Sequence, residues 1–403
     1  MALIVQKFGG SSVADAERIR RVAGIIAETY KAGNELVVIL SAQGHTTDDL
    51  LAKAAEINPR GSKREIDQLL ATGEQISVAL MAICLEGMGV PAVSLTGWQI
   101  GLKTTSHYGN ARVEQVTGER LRKELARNQV VLVAGFQGIN ATGDVTTLGR
   151  GGSDTTAVAV AAALQADKCQ IFTDVDGIYT ADPRKVPGAK KLDEITYEEM
   201  QELASLGAQV LHNRSVQLAE KYHVRLEVLS SFTNTPGTLV KEVTKNMEQL
   251  EITGIAKDSQ TVLFAVVGLK DEPGKAFKVF RLLSNARINV DLILQSIGRG
   301  TLKDISFTVA QKDLEATIAV LEEHKDSLGY ERIDVDENVA KVSTVGAGMV
   351  STPGVAARMF EALADAQINI NMISTSEVKI SVLVDAAQAD KAMNVIHEKF
   401  FGK

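Results

Sequence analysis

Only two cysteines, Cys84 and Cys169, occur in 403 residues, each alone among apolar neighbours. That scarcity excludes a disulfide framework and a thiolate metal site, and it assigns both to ordinary buried thiols. Positive charge is not in excess either. The 43 Lys and Arg stand against 50 Asp and Glu, a formal net charge of -7, which excludes the electrostatic footprint of a nucleic-acid binder. Long apolar runs are missing. The longest, Ala157 to Leu164, falls far short of the roughly 20 residues needed to cross a bilayer. MALIVQKFGG has neither the charged start nor the apolar stretch of a signal peptide, so a soluble, cytoplasmic protein is expected. The histidines, His45, His107, His212, His223, His324 and His397, show no ligand spacing and read as surface or packed residues.

What is present is enough apolar material, 45% of the residues, for two or three cores. The chain divides near residue 240. Before it, the β-branched runs LIVQKF, ELVVILSA, VPAVSLTG, VVLVAGFQG, CQIFTDV and RLEVLSSF alternate with helical segments such as Asp15 to Ala32 and Asp67 to Met88. The alternation predicts a mostly parallel sheet with helices on both faces. Ligands of such sheets bind beyond the carboxyl ends of the strands. The glycine- and hydroxyl-rich pieces fall there: Gly9-Gly10-Ser11-Ser12, Ser41-Ala42-Gln43-Gly44, Gly135 to Gly152 and Thr173-Asp174.

The second half repeats itself. A shift of 80 residues superposes Gly268 on Gly348, Pro273-Gly274 on Pro353-Gly354, Phe280 on Phe360, Leu283 on Leu363, Ile288-Asn289 on Ile368-Asn369 and Ser296 on Ser376. Each copy reads strand, Pro-Gly loop, helix, strand, strand, helix. The first continues into a fourth strand, ERIDVDE, whereas the second stops at FFGK. EITGIA, Glu251 to Ala256, is therefore expected to supply the missing strand, embedding one unit inside the other.

The stretch GRGGSDTTAVAVAAAL, Gly149 to Leu164, places glycines directly before a helix. Backbone N–H groups and partial positive charge at a helix N-terminus form an anion site, and glycines allow close approach. A cap by Ser153 or Asp154 is the competing explanation, but Arg150, a planar donor fork suited to carboxylate or phosphate, is not needed by a cap. KFGGSS, Lys7 to Ser12, can cradle phosphate or make a tight strand-to-helix turn; it does not match G-x-x-x-x-G-K-[ST]. GAGM, Gly346 to Met349, lacks the third glycine of a dinucleotide fingerprint.

Together, KFGGSS, SAQGHTTDDL (Ser41 to Leu50), LLATGEQIS (Leu69 to Ser77), GRGGSDTTA (Gly149 to Ala157), FTDVDGIYTADPR (Phe172 to Arg184) and GAQVLHNRSV (Gly207 to Val216) resemble the signature segments of the aspartate kinases. The second half resembles their paired ACT regulatory domains. The resemblance implies an α/β fold: an αβα sandwich kinase domain over residues 1–240, a linker over 241–250, and two ferredoxin-like (βαββαβ) ACT domains. Of these the first spans 261–340 and the second combines 251–260 with 341–403. It also implies transfer of the ATP γ-phosphoryl group, with Mg²⁺, to the side-chain carboxylate of L-aspartate in lysine, threonine and methionine biosynthesis.

By the same resemblance, Lys7 and Asp154 are catalytic. Lys7, Phe8, Gly9, Gly10, Ser41, Thr173, Asp174, Tyr179, Asp182, Pro183 and Arg184 hold ATP. Thr47, Glu74, Arg150, Gly151, Gly152, Ser153 and Asp154 hold aspartate, with Glu74 on its ammonium and Arg150 on a carboxylate. No dedicated protein cage for Mg²⁺ is expected, since phosphate oxygens and water suffice. Lysine, threonine or both are the implied effectors. Asp271, Asn289, Val290, Asp291 and Gln295 in the first repeat, and Val355, Ala356, Asn369, Ile370, Ser376 and Glu377 in the second, are the implied effector residues.

A homo-oligomer formed through the ACT domains is implied, with Met247 placed where some relatives start a short subunit. Ser11, Gln43, His45 and Asn213 depart from the usual pattern, and Gln43 and His45 lie near the expected cleft. Other kinases of the same fold, acting on acetylglutamate, glutamate or a nucleoside monophosphate, and an amino-acid sensor with a silent kinase half, are the rival readings.

Overall fold

The structure is a computed structural model describing residues 1–206, 210–244, 251–297, 301–350 and 352–402, with the side chain of residue 350 left aside. GAQVLHNRSV therefore lies partly, and most of the 241–250 segment with Met247 wholly, outside the described residues. Two compact units are distinguished. One takes Met1–Tyr179, Lys191–Ser205 and residues 210–244; the other takes Thr180–Lys190, Leu206 and the described residues from 251 onward.

In the first unit the strands are β1 (Leu3–Phe8), β2 (Glu35–Leu40), β3 (Ala92–Leu95), β4 (Leu102–Thr104), β5 (Val113–Val116), β6 (Val130–Ala134), β7 (Gln137–Ile139), β8 (Val145–Thr147), β9 (Lys168–Thr173), β10 (Glu194–Thr196), β11 (Leu226–Ser230) and β12 (Thr238–Lys241). All six β-branched runs enter one 8-stranded sheet of order β10-β12-β11-β9-β1-β2-β6-β3. Its pairs are parallel except β11 with β12. The helices are α1 (Ala16–Lys31), α2 (Thr46–Ile57), α3 (Lys63–Leu70), α4 (Thr72–Gly87), α5 (Glu119–Leu125), α6 (Gly152–Leu164), α7 (Tyr197–Ser205) and α8 (Asn213–Lys221).

Strand periodicity explains why both faces are covered. Ile4, Phe8, Val38, Leu40, Val130 and Leu132 point to one side, where Val22 and Ile26 of α1 and Val78, Met81 and Leu85 of α4 complete a core. The alternate residues Val5, Val37, Ile39, Val131 and Val133 are equally buried, and the small residues of α6 let that helix lie close over β1, β2 and β9.

A second, 4-stranded sheet, β5-β4-β7-β8, was not expected from its short strands. The segment expected as one helix from Asp67 begins earlier, at Lys63 behind the Ser62 cap, and passes from α3 to α4 through Ala71. That run, Lys63–Gly87, is long and apolar enough to cross a membrane by composition alone. Half of it is buried, as in the core helix of a globular unit.

In the second unit β13 (Gly254–Asp258), β14 (Thr261–Lys270), β15 (Val290–Gln295), β16 (Leu302–Ala310), β17 (Arg332–Asp336), β18 (Val339–Val345), β19 (Met372–Thr375) and β20 (Lys379–Asp385) form two 4-stranded sheets, β15-β16-β14-β17 and β13-β18-β20-β19. The helices are α9 (Lys275–Asn285), α10 (Leu314–Glu323), α11 (Lys325–Leu328), α12 (Val355–Asp365) and α13 (Ala389–Phe401). These are the two ferredoxin-like repeats. Gly274 and Gly354 precede α9 and α12 with φ of 90° and 93°, the left-handed backbone that glycine adopts without strain. β13, from the stretch just before the first repeat, pairs antiparallel with β18 of the second. Ala181 and Val186, from Thr180–Lys190, join this unit's core.

Candidate active site

The cleft opens at the carboxyl ends of β1, β2 and β6. It holds about 290 Å³ and is lined by Lys7, Gly9, Gly10, Ser41, Ala42, Gly44, Thr47, Glu74, Phe136 and Gly149 through Asp154. Each part has a local reason to be there. Lys7 is the penultimate residue of β1. Gly10 follows the strand because a side chain there would meet the Ala42 carbonyl at 2.5 Å. Gly151 has φ 70°, and a Cβ on it would stand 2.3 Å from the Cβ of His212. Neither position tolerates a larger residue without rearrangement.

Gly151, rather than Ser153 or Asp154, is the cap residue of α6, and no side chain caps that helix. The capping explanation for Asp154 is thereby corrected. Its carboxylate instead meets Lys7 Nζ at 2.7 Å, each side chain 11% exposed. An acidic group in the first turn is favoured by the helix dipole, and here it fixes the cation at the sheet edge.

Glu74 sits in the first turn of α4 and is 3% exposed. One carboxylate oxygen accepts the Ala42 N–H at 3.1 Å. The other is buried without a hydrogen-bond partner. Burial pushes its pKa up to about 7, opposed by backbone N–H donors including that of Ala42. Arg150 is exposed at the mouth of the same cleft. A cation at the floor, a carboxylate short of a partner on one wall and a guanidinium at the rim can hold a ligand carrying phosphate, ammonium and carboxylate together.

Not every expected residue lines this space. Phe8 is core, stacked on Phe172 at 4.5 Å. The parallel register Phe8↔Phe172 nevertheless sets Thr173-Asp174 beside Gly9-Gly10 at one sheet edge. Thr173 donates its hydroxyl to Asp174 at 3.1 Å, and Tyr179 donates to Asp176 at 2.8 Å. Asp182, Pro183 and Arg184 fall in the segment counted with the second unit, where Arg184 holds the Asp182 carboxyl below its usual pKa.

Gln43 donates to the Val13 carbonyl at 2.9 Å and His45 is 90% exposed beside Asp48. Neither lines the cleft: Gln43 is turned to Val13 and His45 to solvent. Ser11 is exposed, and Asn213 bonds Ser205. Ala42, Gly44, Phe136 and Gly149 are lining residues that the motifs did not single out as contacts. Phe136, at φ 68°, carries no local signal beyond its glycine neighbours.

In the second unit a space of about 320 Å³ is lined by Asp271, Gln295, Lys270, Lys275 and Lys303 among others. Asp271 pairs with Lys303 at 2.9 Å. Asp291 instead engages the buried Lys341. Val355 is core, Ala356 is partly buried against it, and Asn369, Ile370, Ser376 and Glu377 lie around β19. Among the described residues no group of three His, Cys, Asp or Glu could hold a metal ion.

Comparison with known proteins adds the following. Residues 2–230 match the model of the amino acid kinase family, and 264–324 with 342–400 match an ACT domain. An aspartokinase from Mycolicibacterium smegmatis is 52% identical over 405 residues, covering 99% of this chain and 96% of that one. The E. coli aspartokinase III structure with aspartate and ADP (R-state) is similar at TM-score 0.85 and 28% identity, covering 99% and 100% of the two chains. The same E. coli protein with lysine and aspartate (T-state) matches at TM-score 0.78 and 27% identity over 99% of each.

Proposed function

The chain belongs to the amino acid kinase family, among its aspartokinases, and from that premise we propose that it phosphorylates the side-chain carboxylate of L-aspartate. The observation that carries the reading is that one cleft holds the pair Lys7 and Asp154 at 2.7 Å together with Glu74, one of whose carboxylate oxygens is buried without a partner. Glu74 takes the substrate ammonium, Arg150 a carboxylate, and Thr47 and Gly151 through Asp154 complete the aspartate side. Lys7, the Gly9-Gly10 backbone and Ser41 take the phosphates of MgATP. Phe8 supports them from the core, and Thr173, Asp174 and Tyr179 extend the nucleotide side.

The chemistry needs no general base. A carboxylate with a reference pKa of about 4 is ionised at neutral pH. One of its oxygens attacks the γ-phosphorus, the bond from that phosphorus to the β–γ bridging oxygen breaks, and ADP leaves with the electron pair. Positioning and neutralisation of phosphoryl charge then supply catalysis. Mg²⁺ arrives as part of the nucleotide substrate, held by phosphate oxygens and water.

Regulation follows from the two repeats, residues 261–340 and 251–260 with 341–403. The pocket beside Asp271 and Gln295 suits an amino acid, and lysine, threonine or both are the proposed feedback inhibitors. A cytoplasmic homo-oligomer joined through the repeats, serving lysine, threonine and methionine synthesis, completes the proposal.

Hydroxylamine trapping tests the reaction. With MgATP and L-aspartate the protein is expected to give a coloured hydroxamate. Glutamate and acetylglutamate run in parallel by the same trap, and a nucleoside monophosphate, whose product has no acyl carbon, by ADP release; product from one of these alone would move the substrate assignment, and product from none would leave a sensor.

A further inference from the structure

Asp67 does not line the cleft, yet it joins the helix run that carries Glu74 to the strand that leads into Arg150. It lies on α3, fully buried. Its oxygens accept the Gly109 N–H at 2.9 Å, the Thr147 N–H at 2.8 Å and the Thr147 hydroxyl at 2.7 Å. No cation is paired with it among the described ion pairs. A buried carboxylate without a counter-ion is costly unless fixed donors replace water, and three such donors do so here.

Those donors lead directly to the substrate loop. Thr147 ends β8, three residues before Arg150. The Gly109 carbonyl stands 3.0 Å from the position a Cβ on Gly149 would take, so this segment braces the loop from outside. On the other side Glu74 follows Asp67 by seven residues along the α3–α4 run. The Ala71 carbonyl at the joint accepts the buried Gln137 amide at 2.7 Å, and Gln137 is the register partner of Thr147. The helix run that carries Glu74 is thus fastened to the strand pair that leads into Arg150 at Asp67, at Ala71 and, at the exposed turn, through Arg64 and Asp144.

Resting on the functional reading above, we propose that Asp67 is a positioning residue. It fixes the spacing between the ammonium grip of Glu74 and the carboxylate grip of Arg150, and so the fit of the four-carbon amino acid. The nucleotide side of the cleft, built on Lys7, Gly9, Gly10 and Ser41, does not run through it.

The test compares KM for aspartate, KM for ATP and melting temperature in the full chain. Asp67→Asn keeps an oxygen for the two N–H groups but loses the charge and turns the acceptor of the Thr147 hydroxyl into a donor, and Thr147→Val removes that hydroxyl alone. Both are expected to raise KM for aspartate about tenfold or more, with KM for ATP within about twofold of wild type, a change of about 1.4 kcal/mol or more in the aspartate arm only. Thr147→Ser keeps the hydroxyl and restores the wild-type KM. Tyr197→Phe breaks a buried bond to the Val224 carbonyl outside these elements; it lowers the melting temperature without the KM split. If Asp67→Asn does not fold, Thr147→Val carries the comparison.

Unchanged aspartate KM in folded variants, or a parallel rise for both substrates, overturns the inference. A wild type that makes no aspartyl phosphate overturns the functional reading and the inference with it, whereas an active wild type with unaffected variants removes the inference alone.

Discussion

Lys7 Nζ lies 2.7 Å from Asp154 Oδ1, joining the end of the first strand to the first turn of the helix that follows the GRGG loop. In the proposed reaction the pair holds a cation against the transferring phosphoryl group. Loss of a preorganised charge contact of this kind costs about 3–4 kcal/mol. Lys7→Ala is therefore expected to lower kcat roughly 10²- to 10³-fold, with the fold intact by circular dichroism. Asp154→Asn is expected to lower it less, because the cation remains. Full activity in Lys7→Ala would remove the residue from the mechanism.

Glu74 gives a pH signature. Its folded-state pKa is raised from 4.5 to about 7, so the protonated form dominates below neutrality. An ammonium ligand needs the carboxylate. The kcat/KM for aspartate is expected to fall as pH drops through 7, approaching one decade per unit, and Glu74→Gln should flatten that limb while raising KM.

Stability runs the other way: a carboxyl raised on folding loses stability as pH rises from about 4.5 to 7, up to about 3 kcal/mol for so buried a group. Glu74→Gln should accordingly melt higher than wild type at pH 8 and close to it at pH 4. A variant that melts lower at pH 8 would contradict the assignment of the raised pKa.

Gly151 separates two steric effects. Ala at this position meets both the left-handed backbone and His212. The backbone part alone costs about 1–2 kcal/mol. Gly151→Ala should lower stability beyond that range, and Gly151→Ala with His212→Gly, which removes the Cβ it meets, should recover the excess only when compared with His212→Gly alone. An equal loss from Gly151→Ala in both backgrounds would rule out the His212 contact as a cause.

Asp271 and Lys303 line the pocket of the first repeat. Asp271→Ala should raise the concentration of lysine or threonine needed for half-inhibition at least tenfold, a loss of about 1.4 kcal/mol, each variant compared with its own uninhibited rate. Unaltered inhibition would move the effector elsewhere.

Much of this was readable in advance because the chemistry is local. The strands of the large sheet announce themselves as β-branched runs bounded by glycine and hydroxyl residues, and the lining residues Lys7, Gly9, Gly10 and Arg150 sit inside those boundaries. The 80-residue offset carried over into α9 and α12, whose ends match residue for residue. Asp67 was not readable. It looked like one more acidic residue on a helix, and its role depends on Gly109 and Thr147, far away in sequence and joined to it only by the packing of a small sheet with three- and four-residue strands. Phe136 was obscure for a related reason: a left-handed backbone at a non-glycine residue leaves no periodic trace.

The most direct test of the central claim follows the oxygen atoms. L-aspartate labelled with ¹⁸O in its side-chain carboxyl is incubated with unlabelled MgATP and the protein, and hydroxylamine then attacks the acyl carbon to release phosphate. Transfer to the carboxylate predicts phosphate carrying one ¹⁸O, the former bridging atom, together with the hydroxamate. Phosphate without label would mean that the phosphoryl group went to water or to another acceptor, and would contradict the account.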